Sequence, residues 1–149
     1  MNLSKHFTFE ELTVSDAAAR RGIPNVPEQE EFENLQYLAV KLEEVRQLLG
    51  EPMLISSGYR SPDTNFIIGG SKNSQHMKGQ AVDFICPAVG DPYEICSIID
   101  RSGILYDQLI HEYGRWVHIS FVKEKPRREV LTICTAKQGY RRGIFKCQT

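Results

Sequence analysis

Ser74-Gln75-His76-Met77-Lys78-Gly79-Gln80-Ala81-Val82-Asp83 is the stretch that decides how this chain reads. Residues 80–86 alternate as a strand, with Gln80, Val82 and Phe84 on one side and Ala81 and Asp83 on the other. Gly79 turns the chain just before that strand, so the His76 imidazole and the Asp83 carboxylate, seven residues apart, can converge on one cation. An acid inside the apolar run Ala81-Val82-Phe84-Ile85 is costly to bury unless it is paired or ligates a metal. The small Ala81 side chain leaves space beside it.

A second strand, Trp116-Val117-His118-Ile119-Ser120, adds another imidazole. Alternation places His118 with Trp116 and Ser120, while Val117, Ile119 and Phe121 pack the opposite side. Two histidines and one carboxylate leave the fourth position of a tetrahedral zinc to water, the pattern of a catalytic rather than a structural site. Such chemistry needs a carboxylate that is not a ligand to accept a proton. Glu112 is the acid near His118 in sequence, on the partner strand of a hairpin that turns at Tyr113-Gly114-Arg115. A lone strand histidine or aspartate is more often structural; the joint pattern carries the weight.

The flanking sequence supplies a scaffold. Thr8-Phe9-Glu10-Glu11 is a capping box opening a short helix to about Val14, and Ala17 to Arg21 continues it or forms a second turn before Gly22-Ile23-Pro24. Pro27 and Gly50 bracket the strongest helix, in which Phe32, Leu35, Leu38, Ala39, Leu42, Val45 and Leu49 form a core-facing stripe. Met53–Ser56 reads as a strand, Asp63–Ile68 as a helical turn, and Asp91-Pro92 as the start of a helix running through Arg101. Tyr106–Glu112 and Glu129–Cys134 read as further strands. Helices first and a small, mostly antiparallel sheet after them make the class α+β.

The 149 residues suit a single domain, spanning 1–149, with 41% hydrophobic and 25% charged residues. The formal charge of −1 argues against a cationic nucleic-acid binder. No apolar run reaches the length of a spanning helix, and the first residues lack the pattern of a secretory signal. The near-zero charge conceals an asymmetry: residues 123–149 hold eight basic and two acidic side chains, +6, leaving −7 for residues 1–122. That basic extension either steers the protein toward an anionic surface or is a set of scattered solvated charges. Cys86, Cys96, Cys134 and Cys147 have no Cys-x-x-Cys spacing and are expected to be reduced, mostly buried, small apolar residues.

Ser74-x-His76-x-x-Gly79-x-Ala81-x-Asp83 followed by Trp116-x-His118 resembles the zinc D-alanyl-D-alanine carboxypeptidases and the related phage L-alanyl-D-glutamate endopeptidases. Ser57-Gly58-Tyr59-Arg60-Ser61 and Asn65 with Gly69-Gly70 resemble them too, and the likeness covers about residues 5–122. It implies a hedgehog/DD-peptidase-like fold and Zn2+ held by His76, Asp83 and His118. It also implies Glu112 as general base and Arg60 as the cation that binds the substrate carbonyl or carboxylate. Ser74 orders its loop or contacts substrate, and Trp116 is a wall of the peptide groove or part of the core. Some relatives carry a histidine where Trp116 stands, and others carry the catalytic glutamate where Arg115 stands. His111 is read as a bystander on the opposite strand face.

The resemblance implies a metallopeptidase acting on the stem peptide of bacterial peptidoglycan, with carboxypeptidase and endopeptidase action both open. It further implies a phage or prophage lysis enzyme or virion component. Such an enzyme is expected in the host cytoplasm before lysis, reaching the cell wall through a holin or on a virion. The rival reading is a non-enzymatic binding or virion structural protein that keeps the fold; a thiol hydrolase is poorly supported, because no cysteine has an evident histidine partner.

Overall fold

The computed structural model describes residues 1–148. Its elements run α1 (Phe9–Thr13), α2 (Asp16–Arg20), α3 (Gln29–Leu49), β1 (Leu54–Ser57), α4 (Pro62–Ile67), β2 (Ala81–Ile85), α5 (Pro92–Asp100), β3 (Gln108–Glu112), β4 (Trp116–Ser120), β5 (Glu129–Ile133) and β6 (Tyr140–Arg142). Local chemistry explains the helix ends. Thr8 Oγ1 accepts the Glu11 N–H at 3.1 Å while the Glu11 carboxylate accepts the Thr8 N–H at 2.9 Å, closing the box that starts α1. Asp91 and Glu94 repeat the device at α5. Gly50, at φ 73°, ends α3 in the left-handed conformation that glycine reaches without strain.

The stripe on α3 is the core seam. Leu35, Leu38, Ala39, Leu42 and Val45 are fully buried against Val82, Phe84, Leu109, Val117 and Ile119 from one face of the sheet. Burying each leucine contributes about 1.5–3 kcal/mol, so truncating Leu42 to alanine would cost about 2–5 kcal/mol. Helices therefore cover one sheet face, and the other is left for chemistry.

The sheet order is β1-β2-β4-β3-β5-β6. All neighbouring pairs are antiparallel except β3 and β5, which are parallel, so the α+β class holds with a mixed, mostly antiparallel sheet. The hairpin turn places Tyr113 at φ 59° and Gly114 at φ 67°, the left-handed pair that matches the twist of its strands.

The structure adds one strand to the sequence reading and changes a second expectation. Within the basic extension, residues 123–149, the strand expected at 129–134 is present as β5 and is followed by β6, so the sheet is longer by two strands. All three residues of β6 are exposed, so no hydrophobic alternation announces that strand. The cysteines also divide: Cys86 and Cys96 are free and buried as expected, but Cys134 and Cys147 form a disulfide, with Cα atoms 5.3 Å apart. The sheet brings the two together, because the chain turns back through β6 after Cys134; spacing alone does not specify such a pairing.

Candidate active site

Strand register builds the site. Asp83 on β2 and His118 on β4 are direct cross-strand partners, so their side chains rise from the same open face. His76 comes from outside the sheet, on a 3-10 turn (Gln75–Lys78) that leads into β2. Ser74 caps that turn, its Oγ accepting the His76 N–H at 3.2 Å. Gly79 closes it at φ 72°, where a Cβ would also meet the Glu31 carbonyl oxygen at 2.6 Å. The turn is thereby seated on α3.

The result is a buried three-residue cluster. His118 Nδ1 lies 3.0 Å and His76 Nε2 3.3 Å from Asp83 Oδ1, and one donor atom from each residue falls within 4.8 Å of the others. The His76 Nδ1–H donates to the Gly58 carbonyl at 2.8 Å, which fixes the ring and leaves Nε2 as the inward lone pair. Gly58 is itself pressed against the Leu12 carbonyl, leaving no room for a side chain.

Electrostatics favour a cation here. Burial drives the His76 pKa down, keeping the ring neutral despite Asp83. Burial alone would raise Asp83, but the two imidazoles outweigh it and hold the carboxyl well below the usual range. Two imidazoles and an ionised carboxylate are the donor set of a nitrogen- and oxygen-ligated ion. Tetrahedral ligands at zinc distances lie roughly 3.3 Å apart, close to the 3.0 and 3.3 Å seen between these atoms. The residues fit a metal.

Glu112 stands beside the cluster, its Oε1 3.8 Å from His118 Nδ1. Burial first, and the Asp83 charge second, push its pKa up to about 7. Arg60 approaches from the other side, Nη2 3.5 Å from Asp83 Oδ2. Ser57 Oγ accepts from its Nε at 3.2 Å and Asn65 Oδ1 from its Nη1 at 3.4 Å, so the guanidinium is held rather than free. The Arg60 backbone N–H donates to the His76 carbonyl at 3.0 Å, tying the two loops together.

All seven residues singled out in the sequence line one cleft of about 790 Å³: Arg60, Ser74, His76, Asp83, Glu112, Trp116 and His118. Trp116 is a wall of this cleft, and its Nε1 has no hydrogen-bond partner among the described residues. His111 faces away, its Nδ1 2.8 Å from the Phe145 carbonyl oxygen and its ring beside Tyr93. Sequence reasoning missed part of the wall, notably Arg127, Glu129, Leu131 and Tyr140. The strand expected at 129–134 was the available signal for two of these, but nothing local tied it to β3.

A shared-ion cluster, beside a carboxylate able to exchange a proton near neutral pH, belongs chemically with the metal-dependent hydrolases. Residues 5–120 match the family model described as Peptidase M15, and the chain belongs to that family of peptidases. No curated protein matches it at a significant level.

Proposed function

We propose that the chain is a zinc-dependent peptidase that hydrolyses a peptide bond in the stem peptide of bacterial peptidoglycan. The observation that carries this reading is the His76–Asp83–His118 cluster with Glu112 beside it, in a chain of this peptidase family. His76, Asp83 and His118 would hold the ion. Zinc in such a site supplies Lewis acidity, polarising a carbonyl and making water more acidic.

The remaining work falls to this chain's own side chains. Glu112 accepts a proton from the attacking water as the new carbon–oxygen bond forms. It returns that proton to the amine nitrogen as the carbon–nitrogen bond breaks. Burial of Glu112, which raises its proton affinity above that of an exposed carboxylate, suits it to both transfers. Arg60, fixed by Ser57 and Asn65, donates to the substrate carbonyl oxygen as charge grows on it, a contribution of several kcal/mol in order of magnitude. Ser74 acts through the 3-10 turn that presents His76, and Trp116 bounds the peptide groove.

A phage or prophage lysis role, or a place on a virion, accords with wall hydrolysis. Its test is lysis from within when the chain is expressed with a membrane-opening partner and not without one. The activity itself is tested with Glu112→Gln. Zinc content by elemental analysis should stay at the wild-type level, while amine release from purified peptidoglycan falls by about 10²–10⁴-fold. Wild-type protein that binds zinc yet releases no amines would leave a binding or structural protein instead.

A further inference from the structure

The open face of the sheet continues well past the metal cluster. His118 pairs with Ile110, Ile110 with Leu131, and Leu131 with Arg142. Residues paired across a sheet point to the same face, so Arg142 stands on the cleft side at the free edge formed by β6. Three strand spacings of about 4.8 Å put it about 14 Å from His118. Leu131 lines the cleft along the way, and Tyr140 lines it in the neighbouring row, where Glu112, Ile133 and Tyr140 are aligned.

Arg142 borders a second hollow of about 430 Å³ together with Arg127, Arg128 and Glu129. Arg127 and Glu129 line both the hollow and the main cleft, so the two adjoin. The other charges here already have partners. Arg127 Nη2 pairs with Asp107 Oδ2 at 2.7 Å. The Arg128 guanidinium lies over the Tyr106 ring at 5.1 Å. Glu129 Oε1 accepts from Gln108 Nε2 at 2.7 Å. Arg142 is exposed and takes part in no ion pair or side-chain hydrogen bond among the described residues. It leaves a planar fork of N–H donors, shaped for a carboxylate, facing the hollow's edge.

We propose that this hollow, with Arg142 as its anchor, is a subsite for a substrate carboxylate about four residues from the bond that is cut. The distance sets the count, since an extended peptide advances about 3.3 Å per residue and the span is about 14 Å. The inference rests on the peptidase reading and deepens it: a peptide lying along the cleft carries its own carboxylates to this edge. The family match ends at residue 120, before β5 and β6, so the subsite belongs to the part of the chain outside it.

The test uses two stem-peptide fragments that differ only in that carboxyl, free in one and amidated in the other. Binding is measured calorimetrically on zinc-supplemented Glu112→Gln protein, with and without Arg142→Glu, while wild type is assayed for cleavage of both. The free acid should bind about five-fold tighter than the amide, the size expected of a solvent-facing charge pair. Arg142→Glu should remove or reverse that preference. Equal binding of acid and amide, or a preference that survives Arg142→Glu, overturns the subsite. So does inorganic phosphate that weakens both fragments alike, since the anchor would then take phosphate. Failure of wild type to cleave either fragment counts against the peptidase reading, and the acid–amide preference still decides the subsite.

Discussion

The open face of the sheet changes character from one side to the other. Across β2 and β4, with the loop before β2, it carries His76, Asp83 and His118, at 3%, 6% and 7% exposure. At β6 it carries Tyr140 at 57% exposure, and Arg142 exposed beyond it. A buried charged cluster is tolerated only when every member is partnered, so the Gly58 carbonyl, the Ser74 cap and the Arg60 loop over-determine its geometry. The outer region has no such obligation. It is held by the Cys134–Cys147 bond and by Thr132 Oγ1, which donates to the Gly143 carbonyl at 2.7 Å and accepts the Phe145 N–H at 3.1 Å. The contrast suits a division of labour: fixed atoms serve chemistry, and an accessible edge serves the substrate contact proposed above for Arg142.

Changes aimed at one region should spare the other. The largest effect is expected from Asp83→Asn, which removes the ionised donor shared by both imidazoles. Even indirect partners of a metal ligand are worth 10–100-fold, so zinc affinity should fall by more than about 100-fold. Competitive chelator titration measures this, and wild-type affinity in the variant would break the comparison at its inner end. Replacing both Cys134 and Cys147 with serine acts at the outer end. The bond closes a loop with a sequence separation of 13, worth about 3 kcal/mol in the chain-entropy account. Thermal unfolding should show that loss while zinc content is unchanged.

The smallest effect concerns Asp107, where the two regions meet. Burial raises its pKa, but the Arg127 hydrogen bonds outweigh burial and hold it below the ordinary value. A lowered carboxylate pKa adds stability above the unfolded value near 4, and that stability is lost as pH falls through the folded value. Arg127→Ala should therefore cost under about 1 kcal/mol at neutral pH, because Arg127 is half exposed. The gap should hold from pH 7 to about 5 and close below about 4 in urea melts. A gap that widens on acidification would contradict the assigned pairing.

The inner region was legible because its motifs are short and dense in chemistry, although the β2–β4 pairing that unites them is not local. Alternation put Asp83 and His118 each on the polar side of its own strand, a glycine turn let His76 approach Asp83, and a short hairpin set Glu112 near His118. The resemblance joined the two histidines and Asp83 into one ligand set, and the β2–β4 register places Asp83 opposite His118. Arg60 and Ser74 followed from the resemblance, and the structure brings both to the same cleft. The outer region depends on non-local pairing. β5 joins β3 in parallel only after an irregular connection in which Lys125 and Arg128 take positive φ. β6 is three exposed residues with no hydrophobic period, and the disulfide partner of Cys134 is set by that return of the chain. Hydropathy cannot register contacts made by backbone and a covalent bond.

The central claim is that the His76–Asp83–His118 cluster, loaded with zinc, cuts a stem-peptide bond. Mass spectrometry of fragments released from defined peptidoglycan, with and without chelator, tests it most directly. The account predicts a single class of newly exposed amine and carboxyl ends, lost on chelation and restored by added zinc. Fragments that persist in chelator, or no fragments from zinc-replete protein, would contradict it.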